Sequence, residues 1–298
     1  MKIADAPAST DSCVVLARTW RLRRDARDSY IAAARRVEQE FALAQCPIAY
    51  PALSAVETFP CLERALIRHV ETALIGGATP EWLELAQARL SRFWSEVVPS
   101  IQAHWALVAT ATEVLLEADR VAKALKYAPT TVPALVEAYA DGDAPWCLLD
   151  THHRHMETRW ANFEPDLGET QASLEKLILK AEQRHTEVGS NLAKRFVTLF
   201  AKAKHPINGL RRQVQIYETE VKPRLGKGKI AYVWADALRY EMARELCEIL
   251  KRDFDLTLAP ALGTIPTITE VGMAAVLPRV DPGGQSGRGG WGEARHRD

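Results

Sequence analysis

The chain has 298 residues, with 38 basic and 38 acidic side chains, 47% apolar residues and five cysteines, a length that fits two domains. A net charge of zero argues against a dedicated polyanion-binding protein, and 7% aromatic residues with eight tryptophans exclude a disordered chain. The charge is unevenly distributed, because residues 81–175 carry 15 acidic and 7 basic side chains whereas residues 176–229 carry 4 and 13. Any electrostatic function is therefore expected to be local.

The apolar pattern argues against a targeting or membrane-spanning segment. The first residues lack an apolar stretch of secretory length, and the most apolar later stretch, residues 101–118, is interrupted by His104 and Glu113. We therefore expect a cytoplasmic protein without membrane contact. The cysteines are separated by 33, 15, 86 and 100 residues, which predicts reduced structural thiols rather than a disulfide framework.

Apolar residues at three- and four-residue spacing predict helices for most of the chain up to Arg224. Gly76 and Gly77 end one predicted helix, and Pro80 opens the next. The predicted helices cover residues 14–44, 61–75, 80–97, 100–127, 133–140, 146–163, 169–203 and 207–221. No fixed repeat period is present, so a regular solenoid is not expected. The sequence predicts a helical domain over residues 1–225, built as an irregular bundle of seven or eight helices.

The pattern changes after the basic turn at residues 226–229. Residues 230–235 form a continuous apolar run of strand length, residues 238–250 are amphipathic with helical spacing, and residues 254–258 alternate as a strand does. This order predicts a βαβ unit whose strands are parallel and joined by a right-handed crossover. The expected fold class is therefore α followed by α/β, with the α/β part at residues 226–280.

Three polar residues lie where this βαβ unit would bind a ligand. Asp236 directly follows the first predicted strand, at the edge where open α/β sheets bind ligands, and this position suits a metal ligand. Thr267 and Glu270 fit an S/T-x-x-E capping box, which explains both without chemistry. Thr269 is not explained in this way, and the first turn of a helix attracts phosphate through its N–H groups and dipole. A capped helix and an active site both remain open at this point.

Two longer motifs surround these residues. Residues 232–243 are YVWADALRYEMA, and residues 262–278 are LGTIPTITEVGMAAVLP. In this order and at this separation, the motifs resemble the opening of the PglZ domain, a family of the alkaline phosphatase superfamily that occurs in bacterial BREX phage-defence systems. The resemblance is specific over residues 229–279 and much weaker in the helical region before them. It implies that residues 226–280 are the first βαβ part of an alkaline-phosphatase-like domain.

The resemblance also implies a two-metal site, usually with zinc, in a phosphatase or phosphodiesterase. By position, Asp236 is a metal ligand and Thr269 is the metal-bound nucleophile; Thr267 is the alternative nucleophile, less favoured because the predicted cap already uses it. A metal pair about 4 Å apart activates a neutral hydroxyl and stabilises the leaving oxygen. Arg239 either contacts a phosphate oxygen or forms an ion pair with Glu241 or another neighbour. Other phage-defence proteins are the implied partners.

The sequence departs from the family after the second motif. The family takes further aspartate and histidine ligands from much later in the chain, and this sequence does not contain them. Residues 281–298 are rich in glycine and arginine and poor in aliphatic side chains, so they are expected to be disordered. We therefore expect a truncated, N-terminal fragment of a PglZ-type protein, with an incomplete site and little activity of its own.

Two other features suggest further hypotheses. His152, His155 and Glu157 invite a metal interpretation, but no fourth ligand accompanies them, which favours a solvated helix face. The basic residues from Lys176 to Lys229 are a candidate for nucleic-acid contact, although they are expected to pair with the acidic residues before them. The alternative function is therefore a non-catalytic helical interaction module that binds defence partners or nucleic acid.

Overall fold

The computed structural model describes residues 7–127, 129–165 and 171–278. The chain divides into two compact units, residues 1–203 and residues 204–298. The tail predicted at residues 281–298 lies outside the described residues. In the part of the chain that the structure describes, no helix is both long and apolar enough to cross a membrane.

The first unit is helical, as the sequence predicts. Its helices are α1 (Pro7–Leu22), α2 (Arg27–Glu40), α3 (Tyr50–Ala55), α4 (Pro60–Gly76), α5 (Pro80–Arg89), α6 (Phe93–Val97), α7 (Pro99–Leu125), α8 (Val132–Ala140), α9 (Leu148–Ala161) and α10 (Ala172–Lys202). Helices α4 and α8 lie within two residues of their predicted limits, because proline or a glycine pair marks their ends.

Helix α7 forms the centre of the first unit and contacts α4, α5, α6, α9 and α10. Its side chains are small or apolar on most faces, which is typical of a helix enclosed by other helices. The fully buried residues of α7 include Trp105, Leu107, Val108, Ala111, Val114 and Ala118. Thr112 is also fully buried, and its hydroxyl donates a hydrogen bond to the Val108 carbonyl one turn earlier. The core of the unit therefore surrounds this helix.

The single helix predicted over residues 14–44 is wrong, because the structure contains α1 and α2 instead. The chain leaves the helix at Arg23, which has an extended backbone, and makes a short 3-10 turn over Arg24–Ala26. This turn lets Trp20 pack edge-to-face against Tyr30, with ring centroids 5.8 Å apart. The prediction missed the turn because the aromatic contact that favours it is a tertiary interaction.

The second unit contains α11 (Tyr240–Leu250) and α12 (Thr269–Val276). The helix predicted over residues 207–221 is replaced by the 3-10 turn Gln213–Gln215 and the π turn Tyr217–Val221, followed by the 3-10 turn Lys222–Arg224. The residues between α11 and α12 form no helix or strand. One of them, Leu262, makes an isolated parallel bridge with Arg212, which precedes α11. Helix α11 confirms the helix predicted between the two strand patterns.

The two predicted strands are not formed. Residues 230–235 and 254–258 have no strand pairing in the described part of the chain, so the βαβ unit is absent from this structure. A strand exists only where another strand accepts and donates its backbone hydrogen bonds, and no described segment pairs with either one. Val233 consequently has 82% of its surface exposed. Both segments have residues typical of strands, but neither has a pairing strand among the described residues.

Candidate functional site

The residues predicted to form the site come together in one cleft of the second unit. The cleft has a volume of about 650 Å³ and is lined by Asp236, Arg239, Thr267 and Thr269. Three segments supply them: the extended residues that precede α11, the loop that precedes α12, and the first turn of α12. Side chains more than thirty positions apart in the sequence therefore face the same space, with Tyr232 and Trp234 among their neighbours.

Asp236 and Thr269 are in direct contact. The Thr269 hydroxyl donates to Asp236 Oδ1 at 3.5 Å, a long hydrogen bond, and the backbone N–H of Ala237 donates to the same oxygen at 3.0 Å. Ala237 has a left-handed backbone with a φ of 56°, an uncommon conformation for a residue with a side chain. The chain turns at Ala237, directly after Asp236. The Asp236 carboxylate remains exposed to solvent.

The predicted capping box is wrong. Helix α12 begins at Thr269, its N-cap is Ile268, and no side chain caps it. Thr267 lies two residues before the helix, outside capping position, because the preceding proline-containing turn continues one residue further than the pattern predicts. Thr267 is therefore not used as a helix cap. The contact with Asp236 now distinguishes Thr269 from Thr267.

Arg239 forms the ion pair with Glu241 that was one of its predicted contacts. Arg239 Nε lies 2.8 Å from Glu241 Oε1, and Glu241 is buried with 1% of its surface exposed. The Arg239 side chain remains more than half exposed and lines the cleft. The buried carboxylate thus holds an exposed guanidinium at the rim of the cleft.

Gln213, which was not among the predicted site residues, connects the segments that line the cleft. Its Oε1 accepts from the backbone N–H of Thr264 at 3.0 Å, and its Nε2 donates to the Gly272 carbonyl at 3.2 Å. One amide therefore connects the loop before α12 to the second turn of that helix. A side chain at Gly272 would place its Cβ 3.5 Å from Gln213 Nε2. Gln213 lies outside both motifs, so no local pattern could have identified it.

The residues of this cleft do not by themselves fit a pair of zinc ions. Among the described residues, no group of three or more histidine, cysteine, aspartate or glutamate side chains is arranged to hold a metal ion. Asp236 provides the one carboxylate that lines the cleft in the described part of the chain, and Thr269 adds one hydroxyl. Zinc in proteins is usually bound by three or four side chains. The cleft therefore offers part of a metal site.

The histidines of α9 face other helices. His152 Nδ1 lies 3.4 Å from Glu113 Oε2 on α7, while the neighbouring His153 stacks on His185 of α10 with ring centroids 3.8 Å apart. His185 Nε2 in turn lies 2.9 Å from Asp150 Oδ1. These contacts join α9 to its neighbours.

Many of the basic residues after Lys176 have partners within their own unit. Arg184 pairs with Asp119 and Glu187, and Lys180 donates to two carbonyls at the end of α4. In the second unit, Arg211 and Arg224 both pair with Glu220. Including Lys222, which pairs with Glu218, four of the 13 basic residues from Lys176 to Lys229 have a carboxylate partner among the described residues.

Comparison with known protein families finds a match within the second unit. Residues 216–289 match the BREX system PglZ alkaline phosphatase-like domain. The match includes the cleft residues Asp236, Arg239, Thr267 and Thr269, and it confirms the resemblance to the PglZ family predicted from the two motifs. No solved structure is significantly similar to the chain.

Two curated proteins are similar to the chain. The alkaline phosphatase-like protein BrxZ of Escherichia coli O9:H4 (strain HS) is 25% identical over 290 residues, which cover 91% of this chain and 32% of BrxZ. The alkaline phosphatase-like protein PglZ of Bacillus cereus (strain H3081.97) is 38% identical over 76 residues, which cover 24% of this chain and 9% of that protein. The similarity to BrxZ therefore includes the helical unit as well as the PglZ match, and the chain spans about a third of BrxZ.

Proposed function

We propose that the chain is a segment of a PglZ-type, metal-dependent phosphatase or phosphodiesterase of a bacterial phage-defence system, and that residues 226–280 supply part of its active site. One observation carries the proposal: Asp236, Thr269 and Arg239 line a single cleft, and the Thr269 hydroxyl contacts the Asp236 carboxylate. The match to the PglZ domain over the same residues supports it.

In this proposal Thr269 is the nucleophile and Asp236 is a metal ligand. The hydrogen bond to Asp236 orients the hydroxyl and leaves the lone pairs of its oxygen available to a phosphorus atom. Thr269 is the first residue of α12, where free backbone N–H groups stabilise an anionic phosphate, and Arg239 adds a positive charge at the rim. Zinc, the metal we expect in the complete site, would favour the alkoxide form of the hydroxyl.

We further infer that the 298-residue chain hydrolyses phosphate esters poorly. One carboxylate and one hydroxyl leave most coordination positions of a zinc pair unfilled. Residues 230–235 and 254–258 have strand patterns without strand partners, so the βαβ arrangement would need additional strands to form. The site is complete, in this proposal, only in a longer PglZ-type protein that provides both the other ligands and the other strands.

Zinc binding tests the role of Asp236. Calorimetric titration of the chain with zinc should detect weak binding that Asp236→Asn abolishes, because the substitution removes the negative charge of the ligand but keeps its shape. Asp255→Asn is the matched control, since Asp255 is exposed and does not line the cleft. Equal zinc binding by the Asp236→Asn variant and the unchanged chain would contradict the assignment of Asp236.

Hydrolysis tests whether the site is incomplete. With zinc present, the chain should cleave bis-p-nitrophenyl phosphate at the background rate, and Thr269→Ala should not change that rate. Zinc-dependent turnover that Thr269→Ala abolishes and Thr267→Ala preserves would support Thr269 as nucleophile but contradict an incomplete site. The zinc titration therefore tests whether Asp236 is a metal ligand, and the hydrolysis assay tests whether the chain is active.

The alternative function, a helical module that binds defence partners or nucleic acid from Lys176 to Lys229, takes second place. Partnership with other phage-defence proteins is compatible with both functions. The nucleic-acid part is weakened because Arg184, Arg211 and Arg224 already have acidic partners. Loss of DNA binding on substitution of the exposed lysines of α10 would favour it.

A further inference from the structure

A second cleft, in the first unit, is lined by three arginines. It has a volume of about 320 Å³, lies beside α1 and residues 55–58, and contains Arg18, Arg21 and Arg92. Glu57 is the one acidic residue that lines it in the described part of the chain. Three guanidinium groups and one carboxylate leave a formal charge of +2, and arginine keeps its charge at every physiological pH. The cleft therefore attracts anions.

The three arginines of this cleft differ in their contacts. Arg21 Nη1 donates to the Glu57 carbonyl at 2.9 Å, its Nη2 lies 3.2 Å from Glu57 Oε2, and its guanidinium lies 5.7 Å from the Phe93 ring centroid. Arg92 Nη1 lies 3.2 Å from the other oxygen, Glu57 Oε1. One carboxylate is thus shared by two arginines. Arg18 is exposed and has no ion-pair partner among the described residues.

The excess of arginine continues along α1 and α2. Residues 7–40, which comprise α1, α2 and the turn between them, carry seven arginines and five acidic residues, Asp11, Asp25, Asp28, Glu38 and Glu40. Three of these arginines have acidic partners, since Arg21 pairs with Glu57, Arg23 with Asp25 and Arg27 with Glu96. The exposed residues that have no ion-pair partner in the described part of the chain are Arg18, Arg24, Arg35 and Arg36. This pair of helices therefore presents several unneutralised guanidinium groups at the surface.

We propose that the arginine cleft and the exposed arginines of α1 and α2 bind the phosphate backbone of a nucleic acid. Guanidinium groups bind phosphate oxygens in a two-pronged geometry. Arg18 is the arginine of the cleft that has no ion-pair partner among the described residues, because Glu57 already contacts Arg92 and both Nη atoms of Arg21. A single free phosphate would bind within the cleft and would not contact the arginines outside it. Several unpaired arginines outside the cleft match a ligand that carries many phosphates, and their number predicts strong dependence on salt. This function is separate from the proposed phosphate-ester hydrolysis.

The test uses the whole chain with fluorescein-labelled single- and double-stranded DNA, followed by anisotropy between about 50 and 200 mM salt. Arg18→Gln/Arg35→Gln/Arg36→Gln should weaken binding to at least one of the two probes by about tenfold or more and lower the dependence of log affinity on log salt by about two to three. The matched control is Lys176→Gln/Lys194→Gln/Lys202→Gln, which removes the same charge from exposed positions of α10. Circular dichroism verifies that both variants keep their helices.

Each outcome decides the proposal. A loss confined to the arginine variant supports it. Failure of both DNA probes to bind, or an equal loss in the lysine variant, overturns it. Binding of inorganic phosphate without binding of DNA would make the cleft a small-anion site and overturn the nucleic-acid assignment. Displacement of DNA by polyglutamate at equal charge concentration would do the same, because it would indicate an acidic protein as partner.

Discussion

Glu63 and Arg89 place two opposite charges inside the apolar core of the first unit. Arg89 Nη1 donates to Glu63 Oε2 at 3.1 Å, and Trp105 Nε1 donates to Glu63 Oε1 at 2.8 Å. Burial raises the pKa of Glu63, and the positive charge of Arg89 and the hydrogen bond from Trp105 oppose that rise. Because both charges have left water, the pair contributes little net stability, yet each partner depends on the other.

Glu63→Ala should therefore destabilise the chain strongly. It leaves Arg89 charged and unpaired in the core, where 4% of its surface is exposed, and the expected loss in the free energy of unfolding is about 3 to 5 kcal/mol. Urea unfolding followed by circular dichroism measures this loss. Asp25→Ala, which removes an exposed partner of Arg23, should change stability little. Similar midpoints for the two variants would contradict the role assigned to the buried pair.

The cysteines should differ in reactivity. Burial, followed by the nearby Glu38 carboxylate, raises the pKa of Cys61 to about 12, whereas Cys13 and Cys46 are exposed. Iodoacetamide reacts with thiolates, so mass spectrometry at pH 8 should detect alkylation of Cys61 at least about tenfold more slowly than alkylation of Cys13 or Cys46. Comparable rates would show that α4 opens readily at its first turn.

The same shift predicts a dependence of stability on pH. The thiol ionises near its ordinary pKa of 9.0 when the chain is unfolded, but keeps its proton to about 12 when the chain is folded. The contribution of this thiol to the free energy of unfolding is therefore complete below pH 9 and is lost as the pH rises toward 12. Cys61→Ala should reduce that decline in alkaline urea titrations; an unchanged slope would argue against this origin.

At the scale of elements, α10 closes the end of α4. Lys180 Nζ donates to the Leu74 carbonyl at 3.0 Å and to the Ile75 carbonyl at 2.9 Å, which are among the last carbonyls of α4 and lack partners within that helix. A positive charge at this end also opposes the negative end of the helix dipole. The end of α4 is therefore stabilised by the Lys180 side chain, more than a hundred residues later in the chain, as well as being marked by the glycine pair.

Lys180→Met should shorten α4. The substitution keeps the aliphatic length but removes the donors and the charge, at an expected cost of about 1 to 2 kcal/mol. Hydrogen exchange should quicken in the peptide that covers residues 70–78. Lys176→Met is the matched control, because Lys176 is exposed on the preceding turn of α10. Equal exchange in the two variants would contradict the capping role.

At the scale of the whole molecule, the two units differ in their cores. The first unit buries large side chains such as Trp94, Trp105 and Leu66 completely. In the second unit, the buried residues among those described are Val221 and Glu241. Its exposed apolar side chains include Ile230, Val233, Trp234, Leu246, Ile249, Phe254 and Leu256. A unit with so little buried apolar surface gains little stability from the hydrophobic effect.

Limited proteolysis should therefore degrade the second unit first. Trypsin should leave a resistant product that ends near Lys202 or Lys204, at the division between the two units. Mass spectrometry of the time course identifies the product. Resistant peptides from residues 230–258 that persist as long as the first unit would show that the second unit is stabilised by contacts beyond those described above.

Local patterns were sufficient for some features of this protein. Proline and glycine positions predicted the ends of α4 and α8, and amphipathic spacing predicted α11, because these signals act within one or two helical turns. The two motifs around Asp236 and Thr269 indicated the PglZ family for the same reason, since a contiguous motif needs no knowledge of contacts. The residue types of the cleft were therefore predictable from sequence.

Tertiary contacts decided the rest. Trp20 and Tyr30 divide α1 from α2, Gln213 connects the loop to α12, and neither interaction leaves a periodic signal. The strand patterns at residues 230–235 and 254–258 remain unpaired because a strand needs hydrogen-bonding partners from other segments. Sequence by itself determined which segments can become helix or strand. Only the tertiary structure decided which of them have partners, because packing and strand pairing depend on residues far apart in the chain.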